Sequence, residues 1–205
     1  YYWVLNIEYH IVDELDRPRE IATFQIDVGN AKRFDISYVN HNGAKQYPPI
    51  IHTALIGTVE RYIYTILDAC AKMEQQGKKP QLPLWLSPTQ VRVIPVTSGF
   101  LPHADVLANR LNHGKARADV DDSDETVEKR VRDAEILWIP YIIVVGAREK
   151  TAEKLPIRVR ATGDQRNMTI EQLMSEIAEK TAGYPFRPLT LPVHVSERPA
   201  YRGYH

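Results

Sequence analysis

The stretch Pro49-Ile50-Ile51-His52-Thr53-Ala54-Leu55-Ile56-Gly57-Thr58-Val59-Glu60-Arg61 decides how the first third of this 205-residue chain is read. A short apolar strand ends in small residues, and an arginine follows in the first turn of a helix. That helix runs from about Thr58 to Gln76, with Val59, Tyr62, Ile63, Ile66 and Leu67 at helical spacing. Small residues at such a turn let a flat ring approach the backbone, where a larger side chain would fill the space. The free N–H groups of the helix start and the forked guanidinium of Arg61 both favour a polyphosphate. On spacing alone, an arginine in solvent at a helix start is the commoner meaning of this pattern.

Upstream, the chain alternates like antiparallel strands. Tyr2 to Val12 is rich in aromatic and β-branched residues, and Asp13-Glu14-Leu15-Asp16-Arg17-Pro18-Arg19 supplies turn chemistry. Ile21 to Val28 reads as a second strand and Arg33 to Val39 as a third, and Asn42-Gly43 marks a hairpin. The opening Tyr1-Tyr2-Trp3-Val4 reads as a strand already under way, as in a piece of a longer polypeptide.

Downstream, Gly77-Lys78-Lys79-Pro80-Gln81-Leu82-Pro83 carries breakers and charge without periodicity. A boundary there divides the chain into residues 1–80, 81–182 and a tail, 183–205. In the second part strands alternate with helices. Strands are expected at Val91–Val96, Ala116–Val120, Pro140–Val145 and Ile157–Arg160, and helices at His103–His113, Glu125–Leu137 and from the N-cap Thr169 onward. The fold class is therefore α/β, with an antiparallel sheet segment first and a mixed-sheet α/β domain second. The tail mixes prolines with Tyr184, Phe186, Tyr201 and Tyr204, a composition expected to pack on a surface.

Composition narrows the classes. Lys and Arg number 26 against 26 Asp and Glu, which excludes a uniformly basic coat but leaves room for a local basic patch. With one cysteine, Cys70, no disulfide can form within the chain, and a reducing, cytoplasmic setting is the expectation. No apolar run reaches the length of a membrane span.

The run from His52 to Arg61 resembles motif 3 of the threonyl-tRNA synthetases, a family of class II aminoacyl-tRNA synthetases. Thr23-Phe24-Gln25-Ile26-Asp27-Val28 and Lys32-Arg33-Phe34-Asp35-Ile36-Ser37-Tyr38-Val39 are similar to the strands preceding that motif. The likeness continues through Leu84-Trp85-Leu86-Ser87-Pro88-Thr89-Gln90-Val91-Arg92-Val93 to about Leu173. It implies the end of a catalytic domain followed by an anticodon-binding domain, in an enzyme joining threonine to tRNA(Thr) with ATP.

Roles follow from the resemblance residue by residue. Arg61 would hold the γ-phosphate of ATP. Glu20 and Thr23 would meet the ATP-bound Mg²⁺ and the ribose; because residues three apart on a regular strand point to opposite faces, this pair requires a bulge. Tyr2, Gln25 and Ala54 match the amino-acid pocket. His52 matches the last of three Zn²⁺ ligands, one Cys and two His, the others lying upstream of Tyr1; the metal would take the amino and hydroxyl groups of threonine. Cys70 does not match the family's cysteine ligand. This piece alone is then expected to make no adenylate, and the longer enzyme to be a homodimer.

In the second domain Glu149 and Arg158 match anticodon-reading positions, with Arg148, Lys150, Lys154 and Arg160 expected to contact phosphates. Two departures stand out: an acidic loop, Asp119-Val120-Asp121-Asp122-Ser123-Asp124-Glu125, and Trp138 where a basic residue is common. The rivals are a prolyl, glycyl or histidyl enzyme of the same subclass, which does not need His52, and a non-catalytic synthetase-like RNA-binding protein.

Overall fold

The computed structural model describes residues 2–199, so Tyr1, Tyr201 and Tyr204 lie outside the described residues. The chain forms two compact units, residues 1–76 and 77–205.

In the first unit β1 (Trp3–Val12), β2 (Pro18–Asp27), a short helix α1 (Asn30–Arg33), a small hairpin of β3 (Tyr38–Val39) and β4 (Lys45–Gln46), β5 (Ile50–Ala54) and helix α2 (Val59–Gln75) follow one another. The main sheet is antiparallel in the order β1-β2-β5. The turn joining β1 to β2 is organised by Asp13, whose side chain is fully buried. It accepts from the N–H groups of Leu15 and Arg17, from the side chains of Arg17 and Arg19, and from the Tyr64 hydroxyl of α2 at 2.8 Å. Burial works to raise this carboxyl, but the donors outweigh it and hold it well below the usual carboxylate range. Asp68 of α2 accepts from Glu14 N–H at 2.7 Å and Lys72 donates to the carbonyl of Val12, so the hairpin end is latched to the helix at three points.

The strand expected over Arg33 to Val39 is instead the end of α1, a turn, and two residues of β3. Asp27 accounts for the difference. Its Oδ1 accepts from the N–H groups of Gly29 and Asn30 at 2.8 and 2.9 Å, which turns the chain into α1. Asp35, at φ 54°, then reverses it while pairing with Lys45 and Tyr47.

The second unit contains β6 (Val91–Pro95), α3 (Leu101–His113), β7 (Ala118–Val120), α4 (Val127–Ile136), β8 (Tyr141–Val145), β9 (Leu155–Val159), β10 (Gln165–Met168) and α5 (Ile170–Lys180). The sheet is mixed, in the order β10-β9-β8-β6-β7; β6 runs parallel to both β7 and β8, and β9 and β10 are antiparallel. Alternation of strand side chains gives it two cores. Val91, Val93, Ile143 and Val145 meet Ala104, Leu107 and Leu111 of α3 and Leu173 and Ile177 of α5, while Ile94 and Ile142 meet Ala134 of α4. Thr126 and Thr169 cap α4 and α5, the latter in a reciprocal capping box with Gln172.

The described part of the tail is held mainly by polar contacts; of its aromatic residues Tyr184 packs on the domain while Phe186 is exposed. Tyr184 stacks on Trp85 at 4.7 Å, and Arg117 binds the carbonyls of Trp85 and Arg187. Further on, Val193 O accepts from Val120 N–H at the β7 edge, His194 Nε2 meets Asp105 at 2.8 Å, and Ser196 donates twice to Asp122. Arg198 reaches Asp119 at 2.8 Å. Asp119 is fully buried and also takes a two-pronged contact from buried Arg92, at 3.0 and 2.9 Å, and a bond from Thr89.

Removing one partner of a buried ion cluster leaves charge without compensation. Asp119→Ala is expected to lower unfolding stability by about 3–5 kcal/mol, read as a lower urea midpoint. A second outcome concerns pH. The bond to Asp105 raises the pKa of His194 above its ordinary value, with burial opposing and Asp122 and Glu197 adding to the rise. A raised folded pKa stabilises fully below the unfolded value of about 6.5 and is lost as pH rises through the folded value. Amides of residues 193–196 should therefore exchange hydrogen faster, relative to the intrinsic rate, at about pH 9 than at about pH 6. Equal protection at both would remove His194 from the docking.

Candidate functional site

In the β1–β2 pair Glu8 faces Thr23 and Tyr9 faces Ala22, but His10 faces Glu20. Ile21 is thus an extra residue in β2, a bulge of the kind that Glu20 and Thr23 require to share a face. Since directly opposed residues lie on one face, this irregularity puts Glu20 and Thr23 on the same side of the sheet as Gln25, Ala54 and His52. Thr23 is paired with Ala54 and Gln25 with His52. Asn6, Glu8 and His10 of β1 lie on the same face, His10 Nε2 3.8 Å from Glu8. Thr23 Oγ1 bonds Asn6 at 3.2 Å, and Asn6 donates to Glu8 at 2.8 Å. Asn6 and Glu8 are not distinguished in the sequence: their spacing of two along β1 is visible, but which face they occupy depends on register.

His52 is held by Asp27, with Nε2 and Oδ2 2.9 Å apart. Asp27 is fully buried. Burial works to raise its carboxyl, but the N–H groups of Asn30 and Gly29, the Asn30 amide and His52 outweigh this and hold it at about 2. An ionised carboxylate only accepts, so His52 donates from Nε2, and its Nδ1 is left with a lone pair in the neutral ring. A carboxylate behind an imidazole is the arrangement that orients metal-bound histidines. The donor is suited to zinc, but the described residues contain no group of three His, Cys, Asp or Glu that could hold a metal. Tyr2 lies at this end of the face, its ring 6.1 Å from the His52 ring.

Arg61 stands at the other end. It lines a cavity of about 520 Å³ with Glu20, Pro18, Arg19, Glu60 and Tyr64. Neither the Arg61 guanidinium nor the Glu20 carboxylate has a hydrogen-bond or ion-pair partner among the described residues, so both charges are open to a ligand. Gly57 sets the approach. It has φ +64°, and a Cβ there would lie 2.8 Å from Arg61 Cδ and 3.4 Å from the carbonyl of Ile21. The turn, the arginine and the bulge therefore pack on one another.

In the second unit Glu149 and Arg158 line one cleft of about 490 Å³, whose apolar wall includes Val96, Val131, Ile142 and Val144. Glu149 Oε2 accepts from Gly146 N–H at 3.0 Å, which fixes the carboxylate and leaves its other oxygen. Any side chain at position 146 would meet Val96 and Glu149 at 3.2 and 3.3 Å. Among the described residues Arg158 has only an exposed partner, Glu135, at 3.9 Å, a contact worth little. Arg148, Lys150 and Lys154 are exposed and make no ion pair among the described residues. Arg160 departs from its expected phosphate role. Its guanidinium donates to Pro80 O at 2.8 Å and to Glu135 O at 2.6 Å, and lies 5.8 Å from the Trp138 ring centroid. Trp138 thus supplies a stacking surface for an arginine already committed to backbone carbonyls.

The anticodon binding domain family matches residues 90–180. Over 199 residues, 97% of the chain, it is 57% identical to a threonine–tRNA ligase of Pyrobaculum calidifontis. It is 50% identical over 199 residues to that of Staphylothermus marinus. The chain spans about a third of the length of these curated relatives (33% and 32%). The RNA binding domain of threonyl-tRNA synthetase from Cryptosporidium parvum Iowa II superposes with a TM-score of 0.68 at 28% identity, over 88% of this chain and 43% of that one. Prolyl-tRNA synthetase from Cryptosporidium parvum, complexed with L-proline and AMP, gives 0.74 at 18% identity, over 87% and 37%, a likeness of fold alone. Nearly the whole chain is therefore similar to about a third of the length of the threonine–tRNA ligases, and residues 90–180 of its second unit match the anticodon binding domain family.

Proposed function

We propose that this chain serves threonine–tRNA ligation, with residues 1–80 as part of the catalytic domain, 81–182 binding the anticodon of tRNA(Thr) and 183–205 as an extension. The observation that carries the reading is the bulge at Ile21, because it turns Glu20 toward the face that holds Thr23, Gln25, Ala54 and His52.

The reaction is attack by the threonine carboxylate on the α-phosphorus of ATP, releasing pyrophosphate, then transfer of the threonyl group to the terminal ribose of tRNA with release of AMP. The protein's share is positioning and charge neutralisation. Arg61, unpaired in its cavity, takes the γ-phosphate, and Glu20 beside it meets the Mg²⁺ that accompanies ATP. Thr23 stands one bulge away, toward the ribose. Gln25 and Tyr2 approach the threonine, and Ala54 leaves room for it. His52 offers Nδ1, oriented by Asp27, as one ligand of a zinc site. Zinc, when bound, gives the amino and hydroxyl groups of threonine a Lewis-acidic partner, which valine cannot use through a hydroxyl.

The two units give separable tests in the longer protein that carries this chain. Arg61→Ala is expected to slow threonine-dependent ATP–pyrophosphate exchange by about 100-fold or more. Arg158→Ala should leave that exchange intact and lower tRNA charging by roughly 10-fold. His52→Ala should lower the zinc stoichiometry. Undiminished exchange in Arg61→Ala would rule out the catalytic assignment, and undiminished charging in Arg158→Ala the anticodon assignment.

A further inference from the structure

The cleft between Glu149 and Arg158 contains a polar group that the reading above leaves unused. Gln165 opens β10 and pairs directly with Arg158 of β9, so the two side chains leave the sheet on the same face. Gln165 lines the cleft of about 490 Å³ and also a smaller cavity of about 110 Å³, both of which Arg158 lines as well. Its carboxamide has no hydrogen-bond partner among the described residues. Three kinds of polar group therefore face one space: a carboxylate that accepts, a guanidinium that donates, and an amide that does both. Aliphatic residues make up the wall behind them, a surface on which a flat base can lie while its edge meets polar atoms.

An isolated exposed glutamine carries no message. Here the surroundings decide. Glu149 is fixed by Gly146 N–H, Arg158 has among the described residues only a long ion pair to an exposed glutamate, and neither is hydrogen-bonded to the amide. Accepting and donating atoms held on one side chain match a base edge that presents a donor beside an acceptor, which neither a carboxylate nor a guanidinium can satisfy alone.

We infer that Gln165 is a third base-reading residue of this cleft, recognising the edge of one unstacked anticodon base beside the one met by Arg158. The inference rests on the reading of the cleft as the anticodon site, and it adds a specificity determinant to that site. Gln165 is exposed, and its side chain takes no part in the β9–β10 ladder, so substitutions report on recognition.

The experiment measures binding of labelled RNA hairpins to the longer protein. One hairpin carries a threonine anticodon in its loop, and others differ from it at one anticodon position each. Gln165→Met keeps the length of the side chain and removes its hydrogen bonds. It is expected to weaken binding of the threonine hairpin roughly 10-fold. It should also abolish discrimination at one anticodon position while leaving the others, the salt dependence and the melting temperature as in the parent. Gln165→Glu replaces the N–H donors by a second acceptor oxygen and adds a negative charge, and it too should lose discrimination at the same position. If both variants keep full discrimination while Arg158→Ala loses it, Gln165 is not a reader and the anticodon reading stands. If the parent binds every hairpin alike, the anticodon reading fails and this inference with it.

Discussion

Ile21 is the residue that β2 carries in excess of its partner β1, and the arrangement of the first unit depends on it. Along a strand, side chains alternate between faces without exception until the register is broken. With regular pairing, Glu20 would leave the sheet opposite to Thr23 and Gln25, away from the functional face. One inserted residue reverses that. The carbonyl of the same residue packs against Gly57, and Gly57 in turn gives Arg61 its passage. A single irregularity thus coordinates a strand, a turn and a helix start.

Buried carboxylates perform the equivalent service elsewhere. Asp13, Asp27 and Asp119 are each almost wholly excluded from water, and each gathers several donors from separate parts of the chain. Asp13 ties a hairpin tip to α2, Asp27 joins the start of α1 to His52, and Asp119 joins β6, β7 and the tail. A buried charge is costly unless its lone pairs are filled, so each of these residues fixes the groups around it more strictly than an apolar contact would. For His52 this has a chemical result, because the bond to Asp27 decides which ring nitrogen remains available.

Much of this was legible in the sequence. The short apolar strand before the small-residue turn is legible, and the Glu20–Thr23 spacing states its own need for a bulge. The helical periodicity of the second unit gave its α/β character. Other features were hidden because they are set by distant partners. Asp27 looks like any strand-end aspartate until its burial is known, and for that reason the residues after it suggest a strand where the chain turns into α1. β10 has the polar sequence Gln165-Arg166-Asn167-Met168, with no apolar alternation to betray it. Arg160 could not be told from a phosphate-binding arginine, since the carbonyls of Pro80 and Glu135 that occupy it lie 80 and 25 residues away.

The docking of residues 193–198 also bears on how the second unit behaves among its own copies. β7 is the outer strand of the sheet on one side, and an outer strand offers unpaired N–H and C=O groups to any extended chain that meets it. Val193 takes the Val120 N–H, and the ion pairs of His194 and Arg198 hold it there. The segment therefore acts as a guard against intermolecular strand addition. A form of the protein cut before Val193 would keep its core yet expose an adhesive border, and its failure would be measured as aggregation before any loss of secondary structure.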